Sequence, residues 1–248
     1  MIATIETNSK KYKINLTKPI DISIPLRAAS TNVNAWYQGP PKIEPVQDGD
    51  WVASVAQGAD INFNTITFNP HAHGTHTECV GHITKKVHAV NNSLTQFFFL
   101  AELITVAPEK LKGDFVISKK QIRFALGNKK REAVVLRTIP NTTDKLNQQY
   151  SNTNPPYLLE DAAIYLREKG VKHLLIDLPS IDKEKDDGLL LAHRAFWNTA
   201  GKKRMDATIT EFIFVPNAVA DGTYFLNLQI APFQNDATPS KPILFEIE

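Results

Sequence analysis

The stretch Asn69-Pro-His-Ala-His-Gly-Thr-His-Thr-Glu-Cys-Val-Gly-His82 decides how this sequence is interpreted. It holds four of the seven histidines of the chain and one carboxylate, Glu78. Neutral imidazoles and carboxylates are the usual ligands of zinc and similar divalent ions, and a bound ion lowers the pKa of its water to about 7. Gly74 permits a sharp turn that would aim several ligands at one point. The segment therefore predicts a metal centre with a catalytic histidine.

The composition is typical of one soluble globular domain. The chain has 248 residues, of which 42% are hydrophobic and 22% are charged, and its net charge is +2. A chain of this length buries enough surface to fold without disulfides, and the single cysteine, Cys79, cannot form an intramolecular one. We therefore expect a single domain over residues 1–248 in a reducing compartment. Cys79 is expected to be a small buried side chain, with metal coordination as the alternative because ligand candidates flank it.

Neither a nucleic acid nor a membrane is an expected partner. The basic clusters at residues 129–131 and 202–204 are short and are followed closely by acidic residues, as on a solvated surface. The most apolar run, residues 97–103, is interrupted by Glu102 and is too short to span a bilayer. Residues 1–13 are polar and lack the apolar core of a signal peptide. The expected location is the cytoplasm.

Hydrophobic periodicity predicts many strands and three helices. A βαβ unit is expected over residues 133–178, because a helical pattern of apolar residues separates two β-branched runs. Mostly β structure is expected on either side of it. The predicted helices cover residues 118–126, 158–169 and 189–200. The predicted strands cover residues 61–68, 103–106, 133–138, 174–178, 208–215, 224–230 and 243–247.

Two metal-site motifs compete for the histidine segment. The pattern His71-x-His73-x4-Glu78 matches the ligand core of the first cupin motif, which implies an almost wholly β barrel with a single metal ion. The glycines that flank this core in cupins are missing here, and the sequence has no second cupin motif downstream. The cupin interpretation is therefore the alternative.

The second motif covers more of the chain. The pattern Gly74-Thr-His-x-Glu-x-Val-x-His82 resembles the signature His-x-Gly-Thr-His-x-Asp-x-Pro-x-His of the cyclase-like metallohydrolases, the family of bacterial kynurenine formamidase and isatin hydrolase. Residues 21–26 (Asp-Ile-Ser-Ile-Pro-Leu), 176–182 (Ile-Asp-Leu-Pro-Ser-Ile-Asp) and 224–232 resemble further segments of that family. The resemblance implies an α/β protein with the swivelling β/β/α fold, mostly β with a few helices.

The resemblance also implies a role for each matching residue. His76 and Glu78 would bind a metal ion, with Glu78 in place of the family's aspartate, and His193 and Glu211 would complete a second metal position. His82 would be the general acid/base. The cofactor would be one or two divalent ions, Zn or Mn. The chain would assemble as a homodimer or homotetramer.

One ligand of the signature is missing in register. Counting back from Gly74, the first histidine of the family falls on Ala72, which cannot bind a metal. His71 and His73 flank this position, and in an extended strand both would point to the opposite face. A bulge, or an irregular turn that begins at Pro70, would bring one of them round. The sequence favours His71 and leaves His73 as the alternative ligand.

The expected function is hydrolysis of an amide, lactam or related carbonyl bond in a small molecule, by metal-activated water with His82 as general acid/base. Trp36 and Tyr37, in an irregular segment, are candidate walls for an aromatic, formamidase-like substrate. His88 and His173 stand outside the histidine segment, and we expect structural roles for them. The alternative is a non-catalytic metal-binding or scaffold protein on the same fold.

Overall fold

A β-barrel of seven strands forms the centre of the fold. The computed structural model describes residues 1–7 and 9–248. The helices are α1 Val90–Ser93, α2 Lys119–Leu126, α3 Glu160–Glu168 and α4 Leu191–Phe196, and short 3-10 turns cover Val55–Gln57, Val80–Ile83 and Thr143–Leu146. The strands are β1 Ile2–Thr7, β2 Lys10–Asn15, β3 Ile20–Asp21, β4 Lys42–Pro45, β5 Gln47–Asp48, β6 Trp51–Val52, β7 Asn64–Thr67, β8 His76–Cys79, β9 Phe98–Val106, β10 Glu109–Leu111, β11 Asp114–Ile117, β12 Ala133–Thr138, β13 Tyr157–Leu158, β14 His173–Ile176, β15 Thr208–Glu211, β16 Gly222–Ile230 and β17 Ala237–Glu246.

The barrel joins a parallel half to an antiparallel half. Its order is β16-β9-β12-β14-β15-β8-β17, and β17 pairs back onto β16 to close it, with β3 added outside on β17. Strands β9, β12, β14 and β15 are parallel neighbours, whereas β8, β17 and β16 are antiparallel to their neighbours. The expected βαβ unit is confirmed as β12-α3-β14. Parallel strands with helical crossovers exclude the almost wholly β cupin barrel.

The strands of the parallel half are almost wholly buried, because both faces of the sheet are covered there. Along β12, Val134 and Leu136 pack in one cluster with α2, α3 and α4, while Ala133 and Val135 pack in a second cluster with β9 and β16. All six residues of β12 are buried. Each buried Val or Leu side chain contributes roughly 1.5–3 kcal/mol, so these two layers supply most of the apolar stabilisation.

Local backbone conformation sets the ends of the other elements. The predicted helix 118–126 is confirmed, and its first turn is capped because Ser118 N donates to Gln121 Oε1 at 3.0 Å. The predicted helix 189–200 is too long, since Leu190 and Asn198 have φ values of 47° and 53° outside α4. The predicted strand 208–215 stops at Glu211, because the next residue, Phe212, has a φ of 55°.

Strand β8 brings the histidine segment into the barrel. It lies between β15 and β17 and is antiparallel to both, and all four of its residues are buried. The hairpin of β4 and β7 precedes it in the chain, and the turn at residues 70–72 joins that hairpin to the barrel. Among the described residues, no helix combines the length and the apolar character that crossing a membrane requires.

Candidate metal centre

Two adjacent strands place three candidate metal-ligand side chains at one end of the barrel. His76 and Glu78 are two residues apart on β8, so both side chains point to the same face. In the antiparallel register His76 lies opposite Glu211 of β15. The distance from His76 Nε2 to Glu211 Oε2 is 3.4 Å, and both side chains are almost fully buried. This cross-strand pair forms the floor of the candidate site.

Helix α4 adds a fourth ligand candidate to this floor. His193 Nε2 lies 3.0 Å from Glu78 Oε1 and 3.8 Å from Glu211 Oε1. The opposite nitrogen, Nδ1, lies 2.6 Å from Asp182 Oδ2. Asp182 also accepts hydrogen bonds from the backbone N–H groups of Ala192 and His193, at 2.7 and 3.1 Å. One buried carboxylate therefore fixes both the start of α4 and the direction of its histidine ring.

A tight turn carries His71 into the same cluster. Asn69 Oδ1 accepts from His71 N at 2.9 Å, and Asn69 O accepts from Ala72 N at 3.2 Å. As a result His71 Nδ1 lies 3.2 Å from Glu78 Oε2, and His71 Nε2 lies 3.0 Å from Asp236 Oδ2. Ala72, which occupies the register position of the missing ligand, is fully buried. A turn, and not a strand bulge, therefore brings His71 to the candidate site.

His73 faces away from the cluster. Its Nδ1 accepts from Asn69 N at 2.8 Å, and its Nε2 donates to Gly39 O at 2.8 Å. Both ring nitrogens are thus occupied by backbone partners, and burial lowers the pKa of this imidazole. The next residue, Gly74, has a φ of 152°, and a Cβ atom on it would lie 3.2 Å from Ile24 O, so this turn favours glycine. Of the two alternative ligands, the structure brings His71 into the cluster and leaves His73 outside it.

His82 is the most open histidine of the cluster. It lies in the 3-10 turn that follows β8, and its side chain is 32% exposed, compared with 1% for Glu78. Its Nδ1 lies 3.2 Å from Asp236 Oδ2, and its Nε2 lies 3.8 Å from Glu78 Oε2. His82 therefore stands at the mouth of the site, where a substrate can reach it, and not on its floor.

The donor atoms on the floor fit a divalent metal ion. Among the described residues, neither His76 Nε2 nor Glu78 Oε2 has a hydrogen-bond partner, although both atoms are buried. Glu78 Oε2 lies near His71 but is poorly aligned for a hydrogen bond. An unsatisfied buried polar atom costs roughly 1–3 kcal/mol, and a cation between these atoms would remove that cost. Ligand atoms of His71, His76 and Glu78 all lie within 4.8 Å of one another, as do those of Glu78, His82 and His193.

The chemistry of the donors is nitrogen and oxygen only. Cys79 Sγ donates to His88 O at 3.3 Å and accepts from Gly81 N at 3.4 Å, so it contacts backbone groups. Its residue is fully buried, as expected for a small buried side chain. Imidazole and carboxylate donors without thiolate suit Zn and Mn.

Burial and neighbouring charges act against each other on the pKa values of this cluster. Burial raises the pKa of Glu78, but the adjacent His82, His193 and His71 outweigh burial and hold that pKa well below its usual range. Burial lowers the pKa of His193, but hydrogen bonds to carboxylates on both sides raise it well above the usual value. In the same way the carboxylates beside His71 overcome burial and raise its pKa to about 10. The carboxylates thus require positive charge nearby, which protons or a metal ion can supply.

A small cavity of about 290 Å³ opens onto the cluster. Its size is at the lower end of the roughly 300–1,000 Å³ typical of ligand pockets. Trp36 forms one wall, and Trp36 Nε1 donates to His71 O at 3.1 Å, whereas Tyr37 is turned out and donates to Glu184. A larger groove of about 750 Å³ lies beside the β1–β2 hairpin, and none of its described lining residues is a histidine. We therefore place the site by its chemistry and not by the volume of the cavity. The lining of the smaller cavity is Trp36, Asn69, His71, His82, Ser180, Asp182, Lys183, Glu184, Asp186, Leu190, His193 and Glu211.

Two carboxylates of the site were not among the ligands expected from the sequence. Asp182 closes the segment 176–182, which resembles the family but from which the sequence predicts no site role for this residue. Asp236 lies in the loop between β16 and β17, where nothing in the sequence marked it. The structure brings these two residues together with six of the predicted ones, namely His71, His76, Glu78, His82, His193 and Glu211. The remaining two histidines, His88 and His173, contact none of the site residues, and His173 Nδ1 pairs with Thr208 Oγ1 at 2.9 Å.

Comparison with solved structures gives the fold. A crystal structure of an isatin hydrolase bound to the product analogue thioisatinate matches with a TM-score of 0.69 at 15% identity, covering 93% of each chain. A predicted metal-dependent hydrolase from Bacillus stearothermophilus matches with a TM-score of 0.64 at 19% identity, covering 92% of this chain and 98% of that one. Isatin hydrolase A from Labrenzia aggregata matches with a TM-score of 0.66 at 12% identity, covering 93% of this chain and 94% of that one.

The family follows from the sequence comparison. A search among curated proteins gives no match. The family model for cyclases, described as "Putative cyclase", matches residues 20–183. That range includes β8, the turn at His71 and the segment that ends at Asp182. Because the match covers more than half of the 248 residues, this chain belongs to the cyclase family.

Proposed function

We propose that this protein is a metal-dependent hydrolase that cleaves an amide, lactam or related carbonyl bond of a small molecule. The observation that carries the proposal is a pair of buried atoms, His76 Nε2 and Glu78 Oε2, that have no hydrogen-bond partner among residues 1–7 and 9–248. They lie beside a cavity lined by imidazoles and carboxylates. Family membership and the hydrolases among the matching folds support it. The cavity is small and has an indole wall, which favours a substrate with one or two rings.

The chain's own residues divide the work. His71, His76 and Glu78 would hold one divalent ion, and His193 with Glu211 would complete a second position beside it. When bound, such an ion polarises a carbonyl oxygen and makes water more acidic. The buried floor excludes bulk water, which strengthens every electrostatic interaction inside it.

We assign proton transfer to His82. Its ring is partly exposed at the mouth, and its Nδ1 is engaged by Asp236. In the part of the chain that the structure describes, its Nε2 has no hydrogen-bond partner. Nε2 is therefore the nitrogen that can take a proton from the attacking water and pass it to the leaving nitrogen or oxygen. A positioned acid/base of this kind contributes about 10²–10⁴-fold to a rate.

The test combines metal analysis with a substrate panel that includes N-formylkynurenine, isatin and simple lactones. We expect stoichiometric Zn or Mn in the wild type, loss of the metal in His76→Ala, and retained metal with at least about 10²-fold lower turnover in His82→Ala. His88→Ala, which removes a histidine outside the cluster, is the matched control and should change neither quantity. Hydrolysis of any panel member supports the proposal.

Two outcomes would decide against it. A wild-type protein that contains no metal and whose stability does not change on chelation overturns the metal centre itself. A protein that binds metal through His76 but hydrolyses no amide, lactam or ester would instead be a metal-binding or scaffold protein on the same fold.

A further inference from the structure

We propose that Asp236 is a positioning residue that orients two histidines of the site, His71 and His82, through a single carboxylate oxygen. The effect of this residue on catalysis rests on the proposed function, whereas its orienting role rests on the contacts of Asp236 itself. Asp236 Oδ2 lies 3.0 Å from His71 Nε2 and 3.2 Å from His82 Nδ1. No part of the histidine motif includes this residue, which comes from the loop between β16 and β17.

The two rings present their outer nitrogens to Asp236 and their inner nitrogens to Glu78. His71 Nδ1 and His82 Nε2 lie 3.2 and 3.8 Å from the same atom, Glu78 Oε2. A neutral imidazole that donates N–H from one nitrogen presents a lone pair on the other. When both rings are neutral, a carboxylate on the outer side therefore leaves both inner lone pairs directed into the site.

The loop is anchored well enough to act as a fixed support. Cys79 N, at the end of β8, donates to Asp236 O at 3.0 Å, so the backbone of Asp236 is tied to the strand that carries Glu78. The next residue back is also fixed, because Asn235 O accepts from Val90 N at 2.8 Å. The rings of His71 and His82 are tilted by 30° relative to each other, with centroids 4.3 Å apart. A shared acceptor holds the two neighbouring rings at similar distances from Asp236 Oδ2.

The two outer carboxylates, Asp182 and Asp236, support different functions of the site, namely metal binding alone and metal binding together with proton transfer. Asp182 supports a single floor histidine, His193, through its Nδ1. Asp236 instead supports one ring at the floor and one at the mouth. Outer carboxylates of metal-ligating histidines typically change metal affinity by about 10–100-fold when they are lost. Removal of Asp236 should therefore impair metal binding and proton transfer together, whereas removal of Asp182 should act through metal binding.

The direct test is the state of the histidine rings in the metal-free protein. Nitrogen-15 NMR of the wild type should find the neutral His82 ring protonated on Nδ1, and Asp236→Ala should lose this preference. In the same variants, Zn²⁺ affinity should fall about 10–100-fold in Asp236→Ala, less in Asp236→Asn, and least in Asp236→Glu. Asp236 is 26% exposed on its side chain, so added formate should partly restore the affinity of Asp236→Ala.

Turnover supplies a second readout. We expect kcat to fall in Asp236→Ala with little change in KM, because the variant disturbs an acid/base and not the substrate wall. Asp221→Ala is the matched control, since Asp221 also accepts hydrogen bonds from two residues, Thr105 and Arg137, but contacts no site histidine. It should leave ring protonation, affinity and kcat unchanged.

The outcomes separate this inference from the proposed function. If folded Asp236→Ala and Asp236→Asn keep the His82 ring protonated on Nδ1 and bind Zn²⁺ like the wild type, Asp236 has no positioning role, whatever the protein hydrolyses. If the wild type hydrolyses nothing but ring protonation and Zn²⁺ affinity depend on Asp236, the positioning role stands and only the assigned reaction fails.

Discussion

Asp182→Asn is the substitution whose effect the structure defines most closely. Asp182 is 5% exposed and accepts three hydrogen bonds. Oδ1 accepts from Ala192 N at 2.7 Å, while Oδ2 accepts from the backbone and ring N–H groups of His193 at 3.1 and 2.6 Å. Asparagine has the same shape but replaces one acceptor with an NH₂ group. Whichever way the amide is turned, at least one N–H group then faces a donor.

The magnitude follows from these contacts. A lost hydrogen bond to a charged group costs roughly 1.5–3 kcal/mol, so we expect the free energy of unfolding to fall by about 2 kcal/mol. If the amide NH₂ faces His193, the ring loses the acceptor that fixes its Nδ1–H tautomer, and its Nε2 no longer points steadily at Glu78 Oε1. Zn²⁺ affinity should then fall about 10–100-fold.

The assay is urea denaturation of the metal-free variants followed by calorimetric titration with Zn²⁺. Asp186→Asn is the matched control, because Asp186 accepts from Gly188 N at 2.9 Å and from Leu190 N at 2.6 Å in the same loop without contacting a histidine. It should lose some stability and no Zn²⁺ affinity. If Asp182→Asn binds Zn²⁺ as tightly as the wild type, the orientation of His193 does not depend on Asp182 and the reasoning is refuted.

His71→Ala should lower Zn²⁺ affinity at least about 10-fold in calorimetry. His73→Ala should keep the affinity but lower the free energy of unfolding by roughly 1–3 kcal/mol, because the backbone groups bonded to its ring lose their partner. Equal Zn²⁺ affinities in the two variants would contradict the assignment of His71. Burial lowers the pKa of His173 from 6.5 to about 4, so between these values the unfolded chain binds the additional proton. The free energy of unfolding should therefore fall by about 3 kcal/mol as the pH decreases across that range, and His173→Gln should flatten this part of the stability curve in urea titrations. Lys145 Nζ lies 2.7 Å from the fully buried Asp177, so Lys145→Met should cost about 3–5 kcal/mol in thermal unfolding, and adding Asp177→Asn should recover part of it.

The sequence predicted those parts of the fold in which local pattern and tertiary burial agree. β12 was predicted with the bounds that the structure shows, because both of its faces are buried and its first four residues, Ala133 to Leu136, are all apolar. The lengths of α4 and β15 were overestimated. Their ends are set by left-handed residues, Leu190, Asn198 and Phe212, none of which is a glycine that would have marked the turn. Side-chain type gives little warning of such conformations.

The candidate site also has parts that the sequence could predict and parts that it could not. His76 and Glu78 could be predicted as partners because their spacing on one strand fixes a common face. Which of His71 and His73 enters the site depends on a turn held by Asn69. Hydrophobic periodicity in the sequence does not predict the geometry of such a turn. Asp236 is 154 residues from His82 in the chain. Its place in the site follows only from closure of the barrel, so local sequence reasoning could not find it. Assembly as a homodimer or homotetramer stays a prediction, which light scattering can check.

The position of β8 between β15 and β17 has a consequence for the order of folding. His76 pairs with Glu211 on one side and with Pro239 on the other, so the floor of the site forms only when the first third of the chain meets its end. Contacts of such long sequence separation form slowly. An ion that needs the completed floor would bind after the rate-limiting step of folding. Interactions that are absent from the folding transition state change the unfolding rate and not the folding rate. The metal would then slow the unfolding of the barrel without increasing its folding rate.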